Sequence, residues 1–554
     1  MPPMPPCQRV TLLDSTLRDG AQGEGISFSV ADKLGIVDAL DELGVDLIEA
    51  GNPGSNPKDK EFFKEAAGLR LRNARVAAFG STRRKGVVAS EDAQLRSLLD
   101  AGTETVVMFG KSWDFHVERV LGASLEENLE MIWDSVAYLR SEGRRVIFDS
   151  EHFFDGFAAN PAYALDCLRS AVEGGAECLA LCDTNGGSLP EAVAAGVEAA
   201  MGLSRVAGPA VTVGIHAHND SGLAVANSLS AVRAGALHVQ GTLVGFGERC
   251  GNANLSTIAA NARLKLGLDC LRGNGLAGLS RAVRRVAEIA NVTLDEGMPY
   301  VGLKAFAHKA GMHVDAVLKS PSSFEHVEPE GVGNERRILA SEVGGRSVVM
   351  ERLRKILPDA QKGDPAVGRA LERLKDMERL GYQYEGAEAS LSLLLRKSSG
   401  AYEPYFELVR YRTTGERSPA QSGDAVAARG TAQAHAMVQL TVGGVEEIQA
   451  AVGDGPVHAL DQALRRALAR FYPSLEGMRL ADFKVRVIDG SGATAATVRV
   501  LIESRDSDCA WTTVGVSTDV IEASWLALVD SIEYKLEKDG VKAPLTQTQR
   551  PEAV

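Results

Sequence analysis

The sequence is poor in the features that mark several large protein classes. Only 7 of its 554 residues are cysteine, an odd number spread along the chain, and no two form a C-x-x-C pair. That usage supports neither a disulfide framework nor a zinc knuckle. Aromatic residues make up 5% of the chain. No apolar run approaches the roughly 20 residues that a membrane-spanning helix needs, and the opening "MPPMPPCQRV" lacks the apolar core of a secretion signal. A cytoplasmic protein with no membrane partner is the simplest expectation. Basic residues are outnumbered, 60 Lys and Arg against 73 Asp and Glu, for a net charge of −13. Nucleic acid is therefore not an expected partner, because its binders normally carry a basic face. A local cluster of Arg and Lys remains able to hold a small anion.

What is present is the composition of a globular enzyme, 45% hydrophobic and 24% charged, at a length suited to several domains. From residue 10 to about 270, short β-rich runs alternate with amphipathic stretches. The strand candidates are 10–14, 45–50, 75–79, 105–110, 145–150, 178–183, 211–216 and 237–242. Between them lie helical patterns such as "SVADKLGIVDALDELG", bracketed by capping residues and glycine. Eight strand-then-helix units, with no G-x-G-x-x-G turn after the first strand, predict an eight-fold β/α (TIM) barrel over 8–270 rather than an open doubly wound sheet.

Residues 271–400 are helical, charged text and are expected to form linker subdomains. The segment 401–434 contains the strand "YFELVRYR" and then, over 413–434, aperiodic text that reads as a flexible hinge. Residues 435–545 read as an α+β regulatory domain with two pseudo-repeated halves, each strand, turn, strand and capped helix.

Chemistry in β/α barrels sits at the C-terminal strand ends. Here those ends carry Arg18 and Asp19 in "DSTLRDGAQ", Glu49, Glu151, "DTNGG", and "HAHND" at 216–220. His216 and His218, at i and i+2 on a strand, aim at one side. With the carboxylate of Asp19 they suit a divalent metal, and the amide of Asn252 is a candidate fourth ligand. The plainer alternative is a pair of hydrogen-bonded histidines at the barrel mouth. N/O ligands leave Zn²⁺, Mn²⁺ and Mg²⁺ open. Cys250 has no nearby activating partner and reads as a packing residue.

"DSTLRDGAQ", "HAHNDSGLAVANS" and "GERCGNANL" resemble the motifs of the DRE-TIM metallolyase family, which includes isopropylmalate, homocitrate and citramalate synthases. "AFAHKAGMHVDAVLK" is similar to the family's linker, and 435–540 to its amino-acid-sensing domain. "PGSNPKDKEFF", "EHFFDGFAANP", "LCDTNGGSLP" and "GNERRILASEVGGRS" point to the citramalate synthase branch. The resemblance implies a Claisen-type condensation of acetyl-CoA with a 2-oxo acid, pyruvate foremost, on a divalent metal held by Asp19, His216, His218 and Asn252. It assigns Arg18 to the developing oxyanion or the acceptor carbonyl, and Glu151 to orienting the acceptor, with a partnership to Arg18 as the alternative. Thr184 is assigned to the acceptor carboxylate, or else to capping its turn. Gln22 lies near the same pocket or is a solvated loop amide. His313 matches the catalytic histidine of the family, with His308 as the other candidate base; family dimers deliver the linker from the second subunit. Arg83 and Arg84, with Lys85, are placed against the CoA phosphates, the alternative being a solvated turn. Asn52 stands where the branch carries a large aromatic, so it would enlarge or polarise the acceptor pocket. The resemblance also implies a homo-oligomer inhibited by isoleucine, or by leucine on the isopropylmalate branch. Rival readings are a different 2-oxo acid, a hydroxyacyl-CoA lyase, and a catalytically silent amino-acid sensor.

Overall fold

The computed structural model describes residues 9–208, 211–273, 275–339, 353–354, 364–384, 386–400, 402–417, 432–488, 496–507 and 509–544. The chain divides into two compact units, the first built from residues up to Phe306 plus Glu325–Arg336, the second from Ala307–Phe324 and residues from Arg337 onward.

Eight parallel strands close a barrel in the first unit: β1 (Thr11–Asp14), β2 (Leu47–Glu49), β3 (Arg75–Ser81), β4 (Thr105–Lys111), β5 (Arg145–Glu151), β6 (Cys178–Asp183), β7 (Thr212–Ala217) and β8 (His238–Gly241). Each strand pairs with the next, and β8 returns to β1 with Thr11 opposite His238 and Asp14 opposite Gly241. The strands form where expected because both faces of each are covered. Leu13, Ala77, Val107, Ile147, Cys178 and Ala180 fill the interior, while Leu12, Ile48, Val106, Phe148, Leu179 and Val213 face the outer helices.

The helices start and stop on local chemistry. Ser29 caps Val30–Leu43 in a reciprocal capping box with Asp32, and Gly44 ends it in the left-handed conformation. A side chain at Gly44 would also strike the backbone of Arg272, its Cβ lying 1.9 Å from that carbonyl oxygen. Asn160, whose side chain accepts from the Tyr163 N–H, and Pro161 open Pro161–Gly174.

The second unit holds a two-stranded parallel pair, β9 (Ala307–His308) with β10 (Arg337–Ile338), and the helices Gly311–Lys319, Pro365–Arg379 and Glu388–Ser399. It then forms two antiparallel sheets, β11 (Glu407–Arg417), β12 (Ala432–Val442) and β13 (Val445–Gly453), followed by helix Pro456–Ala469; and β14 (Arg479–Val487), β15 (Val498–Arg505) and β16 (Ala510–Ser517), followed by helix Val520–Lys538. Each half thus has three strands rather than two. The strand missing from the expected pattern of the second half, β14, does alternate over Phe483–Val487, although the side chains of its last four residues are exposed.

The hinge expected at 413–434 is also narrower. β11 runs on to Arg417, paired with Ala432 at the start of β12; backbone ladder bonds extend the strand where side-chain periodicity stops. Residues 418–431 lie outside the described residues, as do Cys7, 340–347 of "GNERRILASEVGGRS" and most of the helical text 346–363.

Candidate active site

All eight barrel strands, at their ends or in the loops just after them, contribute to one cavity of about 360 Å³. It is lined by Arg18, Asp19, Gln22, Asn52, Phe79, Phe109, Asp149, Glu151, Cys182, Thr184, His216, His218, Glu248 and Arg249. Most of the residues expected at the strand ends therefore meet here.

Asp19, His216 and His218 are all buried, and their ligand atoms lie within 4.8 Å of one another. Asp19 Oδ2 is 3.2 Å from His216 Nε2 and 3.6 Å from His218 Nε2. Burial alone would raise the Asp19 carboxyl, but Arg18 and the two imidazoles hold it well below the usual carboxylate range. Burial would lower the His216 imidazole; the bond to Asp19 and the charges of Asp19 and Asp149 outweigh it and leave it raised. Surroundings that favour a positive charge on the His216 ring also favour a dication beside it. Asn252 lies across a backbone bridge from His218. Its amide nitrogen donates to the carbonyl of Phe246 at 3.1 Å, so its buried Oδ1 is left with no hydrogen-bond partner. A buried, unsatisfied amide oxygen next to an Asp-His-His set is what a hard or borderline cation would satisfy. The donor set fits a divalent metal.

Arg18 is held rigidly beside this cluster. Its Nε donates to Glu49 Oε2 at 2.6 Å, its NH1 lies 3.2 Å from Asp19 Oδ2, and its guanidinium stacks 3.7 Å above the Phe79 ring. Glu49 is fully buried and also accepts from Ser15 Oγ. Glu49 rather than Glu151 is thus the partner of Arg18; Glu151 pairs instead with Lys111. Asp14, fully buried, and Asp149, which borders the cavity, have carboxyls pushed up to about 7 by burial.

Thr184 Oγ1 accepts from the backbone N–H of His152 at 2.8 Å, which leaves its own O–H to donate to a ligand. Asn52 faces the cavity from the loop after β2. Its Oδ1 accepts from Gln94 Nε2 at 2.9 Å, and its N–H donates to Asp59, which is paired with buried Lys33 at 2.6 Å. Gln22 lines the cavity with an exposed side chain.

Arg83 and Arg84 are not among the lining residues. Arg83 is buried with its Nε on Asp134 at 2.8 Å, and Arg84 faces solvent. Cys250 is exposed, and Cys182 is the cysteine that borders the cavity. His313 belongs to the second unit, exposed on Gly311–Lys319 with its ring stacked on Phe324 at 4.2 Å; His308 lies in β9.

Arg249 was not foreseen. It grips Asp220 with two bonds of 2.7 and 2.9 Å and the Thr184 carbonyl with a third, tying the loops after β6, β7 and β8 together. It does so at a φ of 57°, a conformation that non-glycine residues adopt rarely. No sequence signal separates it from a solvated arginine.

A closed barrel with an Asp-His-His cluster at its mouth is the architecture of the HMGL-like class, and the HMGL-like family model matches residues 9–274. The class is metal-dependent, and this cluster is its possible metal site here. The homocitrate synthase post-HMGL domain-like model matches 300–380, and the LeuA allosteric (dimerisation) domain matches 385–536.

Full-length relatives narrow the class. The chain is 48% identical to the (R)-citramalate synthase of Aquifex aeolicus over 532 residues, 96% of this chain and 98% of that one. It is 49% identical to the (R)-citramalate synthase of Synechocystis over 95% and 96% of the two chains. Identity to a probable 2-isopropylmalate synthase of Methanopyrus kandleri is 31% over 95% and 98%. The chain belongs to the DRE-TIM metallolyase family, on the side of the (R)-citramalate synthases. Among the described residues no helix is long and apolar enough to cross a membrane.

Proposed function

We propose that this chain condenses acetyl-CoA with pyruvate, giving (R)-citramalate and free CoA. The observation that carries the reading is the convergence of Arg18, Asp19, His216 and His218 on one small cavity in a chain nearly half identical, end to end, to (R)-citramalate synthases. Asp19, His216, His218 and Asn252 would hold a divalent ion, Zn²⁺, Mn²⁺ or Mg²⁺, which would supply Lewis acidity toward the acceptor's keto group.

The protein's own residues account for the rest. Arg18, fixed by Glu49 and Phe79, keeps its remaining guanidinium N–H groups for the oxygen on which negative charge develops as the acetyl enolate adds to the ketone. Thr184 offers its hydroxyl to the acceptor carboxylate, and Glu151 orients the acceptor with Lys111 balancing its charge. Gln22 and Asn52 border the acceptor's substituent. His313 is the proposed base that removes a proton from the acetyl methyl, with His308 as the competing candidate. Water then cleaves the thioester, so one water is consumed and CoA leaves as the thiol. Arg84 remains a candidate for the CoA phosphates; Arg83 is committed to Asp134.

The same reading makes the product a precursor of isoleucine, in a cytoplasmic homodimer whose C-terminal domain takes isoleucine as inhibitor. Deleting 435–554 should abolish that inhibition. The acceptor is tested by measuring acetyl-CoA-dependent thiol release with pyruvate, 2-oxobutyrate, 2-oxoisovalerate and 2-oxoglutarate. Pyruvate should give the highest kcat/KM; a preference for 2-oxoisovalerate or 2-oxoglutarate would reject the citramalate assignment while keeping the reaction class.

A further inference from the structure

From His216 a buried chain runs through two side chains, Gln240 and Asp149, that no step above uses. His216 Nδ1 is 2.8 Å from the side-chain oxygen of Gln240 on β8, and Gln240 Nε2 is 2.8 Å from Asp149 Oδ1 on β5. Gln240 is fully buried and Asp149 nearly so. β8 and β5 are not neighbours in the barrel, so the amide spans its interior to reach both.

The direction of this chain has a consequence. The amide NH₂ of Gln240 donates to Asp149 Oδ1, which turns the amide oxygen toward His216. An amide oxygen can only accept, so the proton of a neutral His216 sits on Nδ1 and the lone pair on Nε2, the nitrogen that faces Asp19. With the amide reversed, its NH₂ would face Nδ1, the proton would move to Nε2, and the cluster would lose a ligand. His218 has no such support, since its Nδ1 is buried without a partner.

We infer that Gln240 and Asp149 are positioning residues that set the His216 tautomer and orientation for divalent-cation binding, Asp149 acting through the Gln240 amide. The inference rests on the metal reading of the site and adds to it a dependence on two residues that do not touch the ion. Outer partners of metal-bound histidines typically contribute 10–100-fold to affinity.

The test uses full-length, metal-stripped protein and Zn²⁺ alone, with affinity read by competition against a chromophoric chelator. Gln240→Met, which fills the space without an acceptor, should weaken Zn²⁺ binding by about 10–100-fold. Asp149→Asn should weaken it in the same direction, and the double variant should bind no worse than Gln240→Met. Gln240→Glu combined with Asp149→Asn exchanges carboxylate and amide, restoring an acceptor for Nδ1–H and a donor for that acceptor, and should recover most of the loss. Should Gln240→Met fail to fold, Asp149→Asn and the exchanged pair decide alone. Equal affinity in wild type and folded variants, or an exchanged pair no stronger than Asp149→Asn, overturns the inference while leaving the metal site standing. A wild type that binds no Zn²⁺ overturns both.

Discussion

Arg18→Lys is the substitution that isolates the guanidinium from its charge. In the native site Arg18 makes three contacts at once: Glu49 at 2.6 Å, Asp19 at 3.2 Å and the Phe79 ring at 3.7 Å. Its side chain is 12% exposed and that of Glu49 is 0%, so solvent screens the pair little. Alanine would strand a buried carboxylate at a cost of about 3–5 kcal/mol, and any lost turnover would be entangled with unfolding. Lysine keeps the cation within reach of Glu49 but has neither the planar face for Phe79 nor the rigid fork that aims its remaining donors at a second acceptor. If those remaining donors meet the developing oxyanion, kcat should fall by about 10²–10³, roughly 3–4 kcal/mol, with a smaller change in KM for pyruvate. The assay is thiol release from acetyl-CoA, with thermal unfolding as the control for integrity. A folded Arg18→Lys enzyme with kcat close to wild type would refute the role given to Arg18.

Other expectations follow from the same geometry. Lys33→Met should lower stability by about 3–5 kcal/mol, because Asp59 is buried and would lose its only cation in the ion pairs described; thermal unfolding reads this directly. For Asp14, burial pushes the folded-state carboxyl up to about 7, above its unfolded value. The stability it contributes is therefore complete at low pH and is lost as pH rises from about 4 through 7. Asp14→Asn should gain on wild type in melting temperature across that window and level off above it; a pH-independent difference would show that burial does not govern this group. In His313→Gln, kcat should fall and the limb of the pH–rate profile attributed to the base should vanish, whereas an unchanged profile would reject His313 and turn attention to His308.

The barrel strands were legible because each is buried on both faces and reads as a continuous apolar run, and the helices because their caps are written locally, as at Ser29 and Gly44. The His216–His218 pair was legible because i and i+2 on a strand must share a side. Partners at long range were not. Nothing in the text joins Arg18 to Glu49, 31 residues on, or Gln240 to Asp149, 91 residues back, until the barrel closes. Arg83 shows the converse, since "STRRKG" looks like an anion patch and the fold commits one of its arginines to Asp134. The hinge was overdrawn because backbone pairing needs no side-chain pattern.

The most direct test of the account is calorimetric titration of metal-stripped, full-length protein with Co²⁺, in wild type and in Asp19→Ala, His216→Ala and His218→Ala. The account predicts one saturable site per chain in wild type, severely weakened in each folded variant. Absence of saturable binding in wild type, or binding that survives all three substitutions, would contradict it.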